Sequence, residues 1–381
     1  MNLDLTDEQR MLRETVSAYL ADRYGFSARA TAARSDAGWS PDLWRGFAQE
    51  LGILGAPFAE GLGGFGGGAI ENMIVMEALG GALAAEPYLG TVVVAGGFLK
   101  HGGHPRASDW IARVVAGDVV CAFAHAELQG RYNLADLTTT ARKQDGGWVL
   151  DGRKVVVVGA PWATHLVVTA RTAGGQRDEK GVSAFMVDKA ATGIRTIDYA
   201  TIDGYRASDI LFEKAFVPAD ALISGEDNAL PLVERVVDEA IAASAAEACG
   251  VMERLHSDTV DYTKQRHQFG VPIASFQVLQ HRMVDMFIHL ERARSMTAMA
   301  TLALDAEPLE RAKAVSAAKV QVGQACRFVG QGAVQLHGGI GTTDELALTH
   351  YFKRATVLES AFGSIDHHLA RFEALSFGEM P

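Results

Sequence analysis

The sequence predicts a protein that is mainly α with an inserted β domain. Segments with apolar residues at helical spacing occupy both ends of the chain, and short segments rich in Val, Thr and aromatic residues lie between them. The length of 381 residues, with 48% apolar composition, is sufficient for more than one hydrophobic core. We expect an N-terminal helical domain (1–117), a central antiparallel β domain (118–222) and a C-terminal four-helix bundle (223–381).

Composition excludes several classes of protein. A net charge of -11 argues against nucleic acid or an anionic membrane as the main partner. Three cysteines, Cys121, Cys249 and Cys326, lack metal-site spacing and are expected to be buried thiols in a reducing compartment. The acidic start MNLDLTDEQR does not resemble a signal peptide, and the longest apolar run is too short to span a bilayer. These features favour a soluble, cytoplasmic protein.

The N-terminal region reads as helices. Thr6 is the expected N-cap of the first helix, with Gln9 three residues on as its capping-box partner. Further along, Gly61–Gly66 fits the dinucleotide-binding pattern GxGxxG. The preceding segment LGILGAPFAE contains glycines and a proline instead of a β-branched strand, so the strand–loop–helix context is missing. We therefore predict a plain loop between helices here.

From about residue 119 the periodicity changes. The segments VVCAFAH, LTTTAR, WVLDGRKVVVV, HLVVTART, GVSAFMVD and SDILFEKAFV are short and separated by turn signals such as Asp145-Gly146-Gly147. This pattern predicts a β domain of roughly a hundred residues. After Pro218 the pattern returns to long helices.

Two motifs stand on the C-terminal helices. An alanine-rich helical stretch from Val236 ends in the sequence RHQFG, which contains Arg266 and Phe269, and Gln277 follows. About seventy residues later, QLHGGIG begins at Gln335 and has three glycines, a composition that lets a backbone approach a ligand closely. A guanidinium binds a pyrophosphate bidentately, and amide side chains suit an adenine or a ribose.

Together, RHQFG…FQ and QLHGGIG resemble the acyl-CoA dehydrogenase family of FAD flavoproteins, and the likeness extends over essentially the whole chain. Within that family the chain looks most like the small subunit of the pimeloyl-CoA dehydrogenase type and subunits of heteromeric steroid acyl-CoA dehydrogenases. The resemblance implies FAD as cofactor, its adenylate half held across a subunit interface, and therefore an oligomer. The residues to which it assigns FAD binding are Arg266, Phe269, Gln277, Gln335, Leu336, His337, Gly338 and Gly339.

The middle domain departs from the family pattern. Where members usually have Thr-Glu-Pro-x-x-Gly-Ser-Asp, this chain has Ala126 at the threonine position and Tyr132 at the serine position. In the segment that packs on the flavin, Val156 replaces tryptophan and Val158 replaces threonine. A backbone amide can replace a hydroxyl as donor, so flavin binding is not abolished, but this chain's own flavin cradle is altered.

The catalytic base of the family is also displaced. Desaturation of an acyl thioester needs a desolvated carboxylate to remove a proton beside the carbonyl. The usual glutamate position is Phe362, and the alternative position used by isovaleryl-CoA type enzymes is Ala240. Glu247 lies two turns after Ala240 on the same helix face and is the predicted base, with Glu239 and Glu359 as weaker candidates. The alternative for Glu247 is a structural carboxylate bonded to an arginine.

Histidines suggest no metal site. The resemblance places His125 and Arg131 where they could face the thioester pocket. His337, His350, His367 and His368 lack metal-like partners at useful spacing, and His367 and His368 are expected to form a surface pair near the end of the chain. We assign no metal.

The resemblance implies an FAD-dependent acyl-CoA dehydrogenase, or a subunit of one, that forms an α,β-enoyl-CoA and passes electrons to an electron-transferring flavoprotein. The expected assembly is a homo-oligomer or an α2β2 complex with a sister subunit. The expected substrate is a dicarboxylyl-CoA or a steroid-derived acyl-CoA. Two alternatives remain: a non-catalytic partner that completes the FAD site of a sister dehydrogenase, and a flavin oxidase or monooxygenase on the same fold.

Overall fold

The computed structural model describes residues 4–378, which form two compact units. One unit contains residues 4–31, Ala69–Ala85 and 241–378, and the other contains Ala32–Gly68 and Glu86–Ala240. The helices are α1 (Asp7–Arg23), α2 (Phe26–Arg34), α3 (Pro41–Gln49), α4 (Ala69–Ala82), α5 (Gly96–His101), α6 (Ala107–Val115), α7 (Leu230–Gln265), α8 (Gln277–Leu302), α9 (Pro308–His337), α10 (Ala347–Ser360) and α11 (Ile365–Phe377). A π-helix, Leu89–Ala95, runs directly into α5.

The strands lie between α6 and α7, apart from one short hairpin. They are β1 (Cys121–Ala124), β2 (Thr140–Gln144), β3 (Gly147–Val158), β4 (His165–Arg171), β5 (Val182–Asp188), β6 (Ile194–Ala200) and β7 (Arg206–Pro218), followed by β8 (His267–Gln268) and β9 (Val271–Pro272) in the hairpin. The main sheet has the order β1-β4-β2-β3-β7-β6, and β5 pairs with β4. The order of helical, β and helical regions confirms the predicted fold class.

The sheet is not purely antiparallel as the sequence analysis expected. Strand β1 pairs with β4 in parallel, and β2 meets β4 in parallel at Thr140 and Arg171. The other pairings are antiparallel. Alternation of apolar residues reveals that a segment is a strand but does not reveal the direction of its neighbour.

Local predictions in the N-terminal region are confirmed. Thr6 caps α1, and the capping box is complete because Gln9 bonds back to the Thr6 backbone amide at 3.0 Å. The stretch before the glycine-rich segment contains short 3₁₀ turns, and Gly61–Gly66 itself connects α3 to α4. The GxGxxG pattern therefore lies in a loop between helices.

The four helices α7, α8, α9 and α10 share one apolar core. Its buried members include Met252 and Leu255 of α7, Met286 of α8, Val329 of α9 and Leu358 of α10. This arrangement confirms the predicted helical bundle, to which α11 adds by packing against α9. The three cysteine thiols are buried, as predicted. Across residues 4–378, no helix combines the length and apolarity that crossing a bilayer requires.

Candidate functional site

The two C-terminal motifs lie side by side. Tyr262, one turn before the end of α7, stacks on the imidazole of His337 at the end of α9, with ring centroids 4.2 Å apart. The Tyr262 hydroxyl donates to the His337 carbonyl at 3.4 Å. These contacts join the end of α7, which RHQFG follows, to the QLHGGIG motif, although the two are far apart in sequence.

A tight hairpin follows α7 and projects Phe269. Strands β8 and β9 pair antiparallel around Phe269 and Gly270, which both have positive φ, at 55° and 80°. Positive φ at both central residues is characteristic of the type I′ hairpin turn, and a glycine at the second position removes its cost there. The Phe269 side chain is 93% exposed. The ring is therefore available for contact with a ligand or another chain.

The polar residues of both motifs are exposed. Arg266, Gln277 and Gln335 present side chains that have no hydrogen-bond partner among residues 4–378. Gly338 and Gly339 follow α9 and are also exposed. An unpaired guanidinium, two free amides and bare backbone fit the pyrophosphate and adenosine of FAD.

Leu336 and His337 differ from the other predicted FAD residues. Leu336 is 7% exposed and belongs to the bundle core. The Nδ1–H of His337 donates to the Ala333 carbonyl at 2.9 Å, and burial lowers the pKa of this imidazole. Both side chains therefore point into the bundle, and only their backbone atoms are left to contact a cofactor. The helical period explains this, since α9 buries one face while Gln335 stays on the other.

Glu247, the predicted base, is buried in an ion pair with Arg354. The guanidinium of Arg354 donates Nε to Oε1 at 2.6 Å and Nη2 to Oε2 at 2.9 Å. The side chains are 5% and 8% exposed. This is the structural alternative that the sequence left open. A carboxylate that accepts a hydrogen bond at each oxygen from a buried guanidinium has fewer lone pairs free for a substrate.

Two glycines bring α4 and α7 into close contact around Glu247. A Cβ at Gly80 would lie 2.1 Å from the Glu247 carbonyl oxygen, and one at Gly250 would lie 2.0 Å from the Glu77 carbonyl oxygen. Any larger residue at either position would separate these helices. The carboxylate of Glu247 is thus positioned by backbone packing on α4 and by Arg354 on α10.

The position of the usual family base carries no acid. Phe362 has φ of 57°, and its carbonyl lies 3.2 Å from Nε2 of His368. His368 is only 1% exposed, so the expectation of a surface histidine pair was wrong for this residue. Burial lowers the pKa of His368 to about 3, and the ring is neutral at physiological pH. The turn is therefore held by a neutral imidazole. The sequence did not reveal that this imidazole is buried.

In the β domain, Glu127 organises the loop between β1 and β2. Its carboxylate accepts hydrogen bonds from the backbone amides of Thr138 at 2.8 Å and Thr139 at 3.1 Å, and from Gln129 at 2.9 Å. It also accepts from Nζ of Lys154 at 2.7 Å. Burial raises the pKa of Glu127, but Lys154 and the other donors outweigh it, so the net pKa is lowered. Hydrogen bonds to this one buried carboxylate therefore hold the loop in place.

Lys154 connects this carboxylate to His125. Lys154 lies in β3 and is fully buried. Its Nζ also donates to the His125 carbonyl at 3.0 Å and to the Thr169 hydroxyl at 3.4 Å. Burial lowers the pKa of Lys154 to about 8, against the opposing charge of Glu127. The hydroxyl of Thr169 lies 2.9 Å from Nδ1 of His125. Four polar residues, two from the loop after β1 and one each from β3 and β4, thus form one connected network.

The two valines at the altered flavin segment are exposed. Val156 is 54% exposed and Val158 is 48% exposed, and Val156 has φ of 51° at a bulge in β3. The bulge is held because the Val156 amide donates to Asp209 at 3.2 Å, and Arg153 and Tyr199 donate to the same carboxylate. A β-branched residue at positive φ is a conformational outlier. The segment is therefore a strained, apolar surface.

Comparison with known proteins identifies the family. Three family models match in chain order: acyl-CoA dehydrogenase N-terminal domain at residues 6–118, middle domain at 122–215 and C-terminal domain at 232–373. The chain belongs to the acyl-CoA dehydrogenase family. Members are FAD-dependent oxidoreductases that act on CH–CH bonds, so this acyl-CoA dehydrogenase is an enzyme of that class with FAD as its cofactor.

Its relatives are distant but extend over most of the chain. Human short-chain specific acyl-CoA dehydrogenase is 28% identical over 81% of this chain and 76% of its own length. Isovaleryl-CoA dehydrogenase of Arabidopsis thaliana is 26% identical over 94% of this chain and 88% of its own. Among solved structures, the ChsE4-ChsE5 complex of Mycobacterium tuberculosis superimposes with a TM-score of 0.89 at 27% identity and covers 100% of both chains. The Tcur3481-Tcur3483 steroid ACAD gives 0.87 at 27%, with 97% of both chains covered.

Sequence reasoning missed three residues of this dehydrogenase that the structure places in buried polar networks. Lys154 and Thr169 lie in strands, and Arg354 lies in α10. A signal existed for Lys154, because by strand alternation it shares a face with Trp148 and Leu150, which are buried. Thr169 and Arg354 gave no comparable signal, since their partners come from distant parts of the sequence.

Proposed function

We propose that this chain is one subunit of a heteromeric acyl-CoA dehydrogenase that desaturates a steroid-derived acyl-CoA and passes electrons to an electron-transferring flavoprotein. The surface formed by Arg266, Phe269, Gln277, Gln335 and Gly338–Gly339 carries the proposal, because it offers unpaired donors and an exposed aromatic ring. Such a surface supports a cofactor shared with another chain. Two structural relatives support the substrate and the assembly, since one is named a two-component complex and the other a steroid ACAD.

The altered middle domain supports a division of labour between two chains. In this chain the flavin segment presents Val156 and Val158 where members of the family carry tryptophan and threonine. When bound, FAD supplies the acceptor for the hydride that leaves the acyl chain. This chain supplies Arg266 for the pyrophosphate and Gln277 and Gln335 for the adenosine half, while the sister subunit contributes the more typical ring site.

Glu247 is the proposed base of this subunit. It is a buried carboxylate on the helix where part of the family carries its base, and Phe362 rules out the C-terminal position. To act as base, the carboxylate has to take the substrate proton on a lone pair that Arg354 does not use.

A second candidate function is favoured by the same ion pair. The bidentate Arg354 clamp satisfies both oxygens of Glu247 and is what a purely structural carboxylate would show. In that case the chain is a non-catalytic partner that completes the FAD site of a sister dehydrogenase. A flavin oxidase on the same fold has no feature of this structure in its favour, and oxygen consumption without an electron-transferring flavoprotein would reveal it.

Flavin content tests the shared site. The chain is purified alone and co-expressed with a candidate sister subunit, and FAD per chain and oligomeric mass are measured. We expect little FAD alone and one FAD per pair in the complex. Arg266→Gln should weaken FAD binding roughly tenfold or more, since it removes a charge-assisted bidentate contact. The control is Arg254→Gln, an exposed arginine of α7 that pairs with Asp258. One FAD per chain in a homo-oligomer would refute the heteromeric assembly.

Two variants separate a catalytic Glu247 from a structural one. Glu247→Gln removes the base and also the charge that faces Arg354, so a loss of turnover alone is ambiguous. The double variant Glu247→Gln/Arg354→Met removes both charges of the pair. If Glu247 is the base, turnover in the double variant stays about 10²-fold or more below wild type while FAD binding is kept. Recovery of turnover in the double variant would assign the carboxylate to structure.

A further inference from the structure

The network around Thr169 fixes the protonation pattern of His125. The ammonium of Lys154 can only donate, so at 3.4 Å the Thr169 hydroxyl oxygen accepts its proton. The hydroxyl proton then needs an acceptor, and among residues 4–378 the only other partner of this hydroxyl is Nδ1 of His125 at 2.9 Å. Nδ1 therefore accepts, and the ring proton is on Nε2.

The same network keeps His125 uncharged. The charges of Lys154 and Glu127 compensate each other at 2.7 Å. Burial and the nearby Lys154 ammonium lower the pKa of His125 to about 3, with Glu127 opposing. The imidazole is thus neutral throughout the physiological pH range and offers a donor without a net charge.

The Nε2–H group is not used by the protein. In the described part of the chain it has no hydrogen-bond partner. Nε2 is also not one of the buried side-chain atoms that lack a partner, so it is accessible to a ligand. The half-buried ring stacks on Phe123, with centroids 5.3 Å apart and an interplanar angle of 17°, and Phe123 contacts Phe98 at 5.7 Å. One oriented donor beside an aromatic wall is the usual make-up of a small-molecule site.

We propose that His125 donates its Nε2–H to an uncharged carbonyl oxygen of a bound ligand, and that Thr169 and Lys154 are the positioning residues that fix this tautomer. A carboxylate is a poorer match, because a neutral donor in a network of zero net charge leaves a buried anion uncompensated. Both the flavin ring and the acyl-CoA carry carbonyls of this kind. The inference rests on the proposed function and specifies a polar contact within that site.

The tautomer is tested first, because this readout does not depend on activity. ¹⁵N-histidine NMR of the full chain, assigned by loss of the signal in His125→Gln, should show a neutral Nε2–H imidazole from pH 5 to 7. In that interval Lys154 is protonated and Glu127 ionised. Thr169→Val should shift His125 toward the other tautomer or a mixture. The control Thr172→Val removes a hydroxyl that bonds to Gly181 and Ser183 instead. A protonated or Nδ1–H imidazole in the wild type would overturn the proposal.

The ligand contact is tested in the FAD-loaded complex. His125→Phe keeps an aromatic ring without a donor, and His125→Gln returns an amide N–H to about the place of Nε2. Loss of a donor to a buried carbonyl should weaken binding about five- to a hundredfold, with partial rescue by glutamine. A change in the Kd of FAD identifies the flavin as acceptor, whereas a change in the KM for acyl-CoA at saturating FAD identifies the acyl group.

The two failures are distinguishable. If neither the Kd nor the KM changes in His125→Phe while wild-type turnover is normal, the donor proposed for His125 is wrong and the proposed function stands. A complex that binds FAD but turns over no acyl-CoA refutes the proposed function. In that complex the Kd of FAD and the NMR tautomer still decide the proposal for His125.

Discussion

Each compact unit contains a buried ion pair, and the two pairs stabilise their buried carboxylates with different sets of hydrogen bonds. Glu247 and Arg354 form a closed pair, in which one guanidinium satisfies both oxygens. Glu127 and Lys154 form an open network, in which the carboxylate also accepts from Thr138 and Thr139 and the ammonium also bonds outward. The open network extends through Thr169 to the unused donor of His125.

The comparison shows that burial alone is a poor guide to chemistry. Glu247 was singled out in the sequence because a lone glutamate in an alanine-rich helix is costly unless it is used or paired. The structure supplies the pair. The residue with an unused, oriented polar group is instead His125, half-buried beside an apolar wall. A polar group left without a partner at a partly open position is a stronger pointer to a ligand than a fully satisfied one.

The largest effect is expected from breaking the closed pair. Arg354→Met removes the guanidinium that pairs with the buried carboxylate of Glu247 and should lower the free energy of unfolding by about 3–5 kcal/mol. Glu247→Leu/Arg354→Met should recover most of this loss, because an apolar pair replaces an ion pair without a remaining charge. Chemical denaturation measures both. The control Arg254→Met, an exposed arginine of α7, should change stability by about 0.5 kcal/mol or less. A double variant as unstable as the single one would show that Arg354 contributes through packing.

Breaking the open network should cost less. Lys154→Met leaves Glu127 with its backbone and Gln129 donors, so the carboxylate remains partly satisfied and the expected loss is about 2–3 kcal/mol. The exposed Lys143→Met, in the neighbouring strand β2, should change stability by about 0.5 kcal/mol or less. Unfolding in denaturant again gives the comparison. If Lys154→Met costs more than Arg354→Met, the additional donors do not compensate Glu127.

The sequence predicted the fold because its main signals are local. Helical spacing, the Thr6–Gln9 capping box and the change to short β-branched segments each depend on a few neighbouring residues. The rejection of GxGxxG at Gly61–Gly66 followed from the same local context. The sequence did not reveal the parallel pairing of β1 with β4, because that pairing joins residues about forty positions apart.

The site was predicted only where a motif exists. RHQFG and QLHGGIG located the exposed Arg266 and Gln335, although they did not show that Leu336 and His337 turn inward. Arg354 and Thr169 were missed because each becomes important only through a partner brought close by the fold. His368 was misread for the same reason, since its burial depends on the packing of α11 against α9. Long-range contacts of this kind leave no trace in one sequence.

The open network should also make the free energy of unfolding depend on pH in the acid range. The pKa of Glu127 is lower in the folded chain than its ordinary 4.5, so its contribution is fully present above pH 4.5 and is lost as the pH falls below that value. Glu127→Gln removes this proton uptake. The variant should therefore be less stable than wild type at pH 7. Between pH 4.5 and 3, the slope of its free energy of unfolding against pH should be smaller than that of wild type, by up to about 1.4 kcal/mol per pH unit. Parallel slopes for the two proteins in denaturant titrations would mean that Glu127 does not control the acid sensitivity.

The smallest effect concerns the strained valine of the altered flavin segment. Val156 adopts a φ of 51°, which costs a β-branched residue on the order of 1–2 kcal/mol and a glycine almost nothing. Val156→Gly should therefore be neutral or stabilise by about 1 kcal/mol, after the entropy of the added glycine is counted. Val158→Gly is the matched control, because Val158 is similarly exposed in the same strand but has no positive φ, and it should destabilise by about 0.5–1 kcal/mol. If Val156→Gly stabilises the chain but weakens FAD binding in the complex, the strain is retained because that surface contacts the flavin. If both valine variants destabilise equally, the bulge is held by Asp209 without net strain.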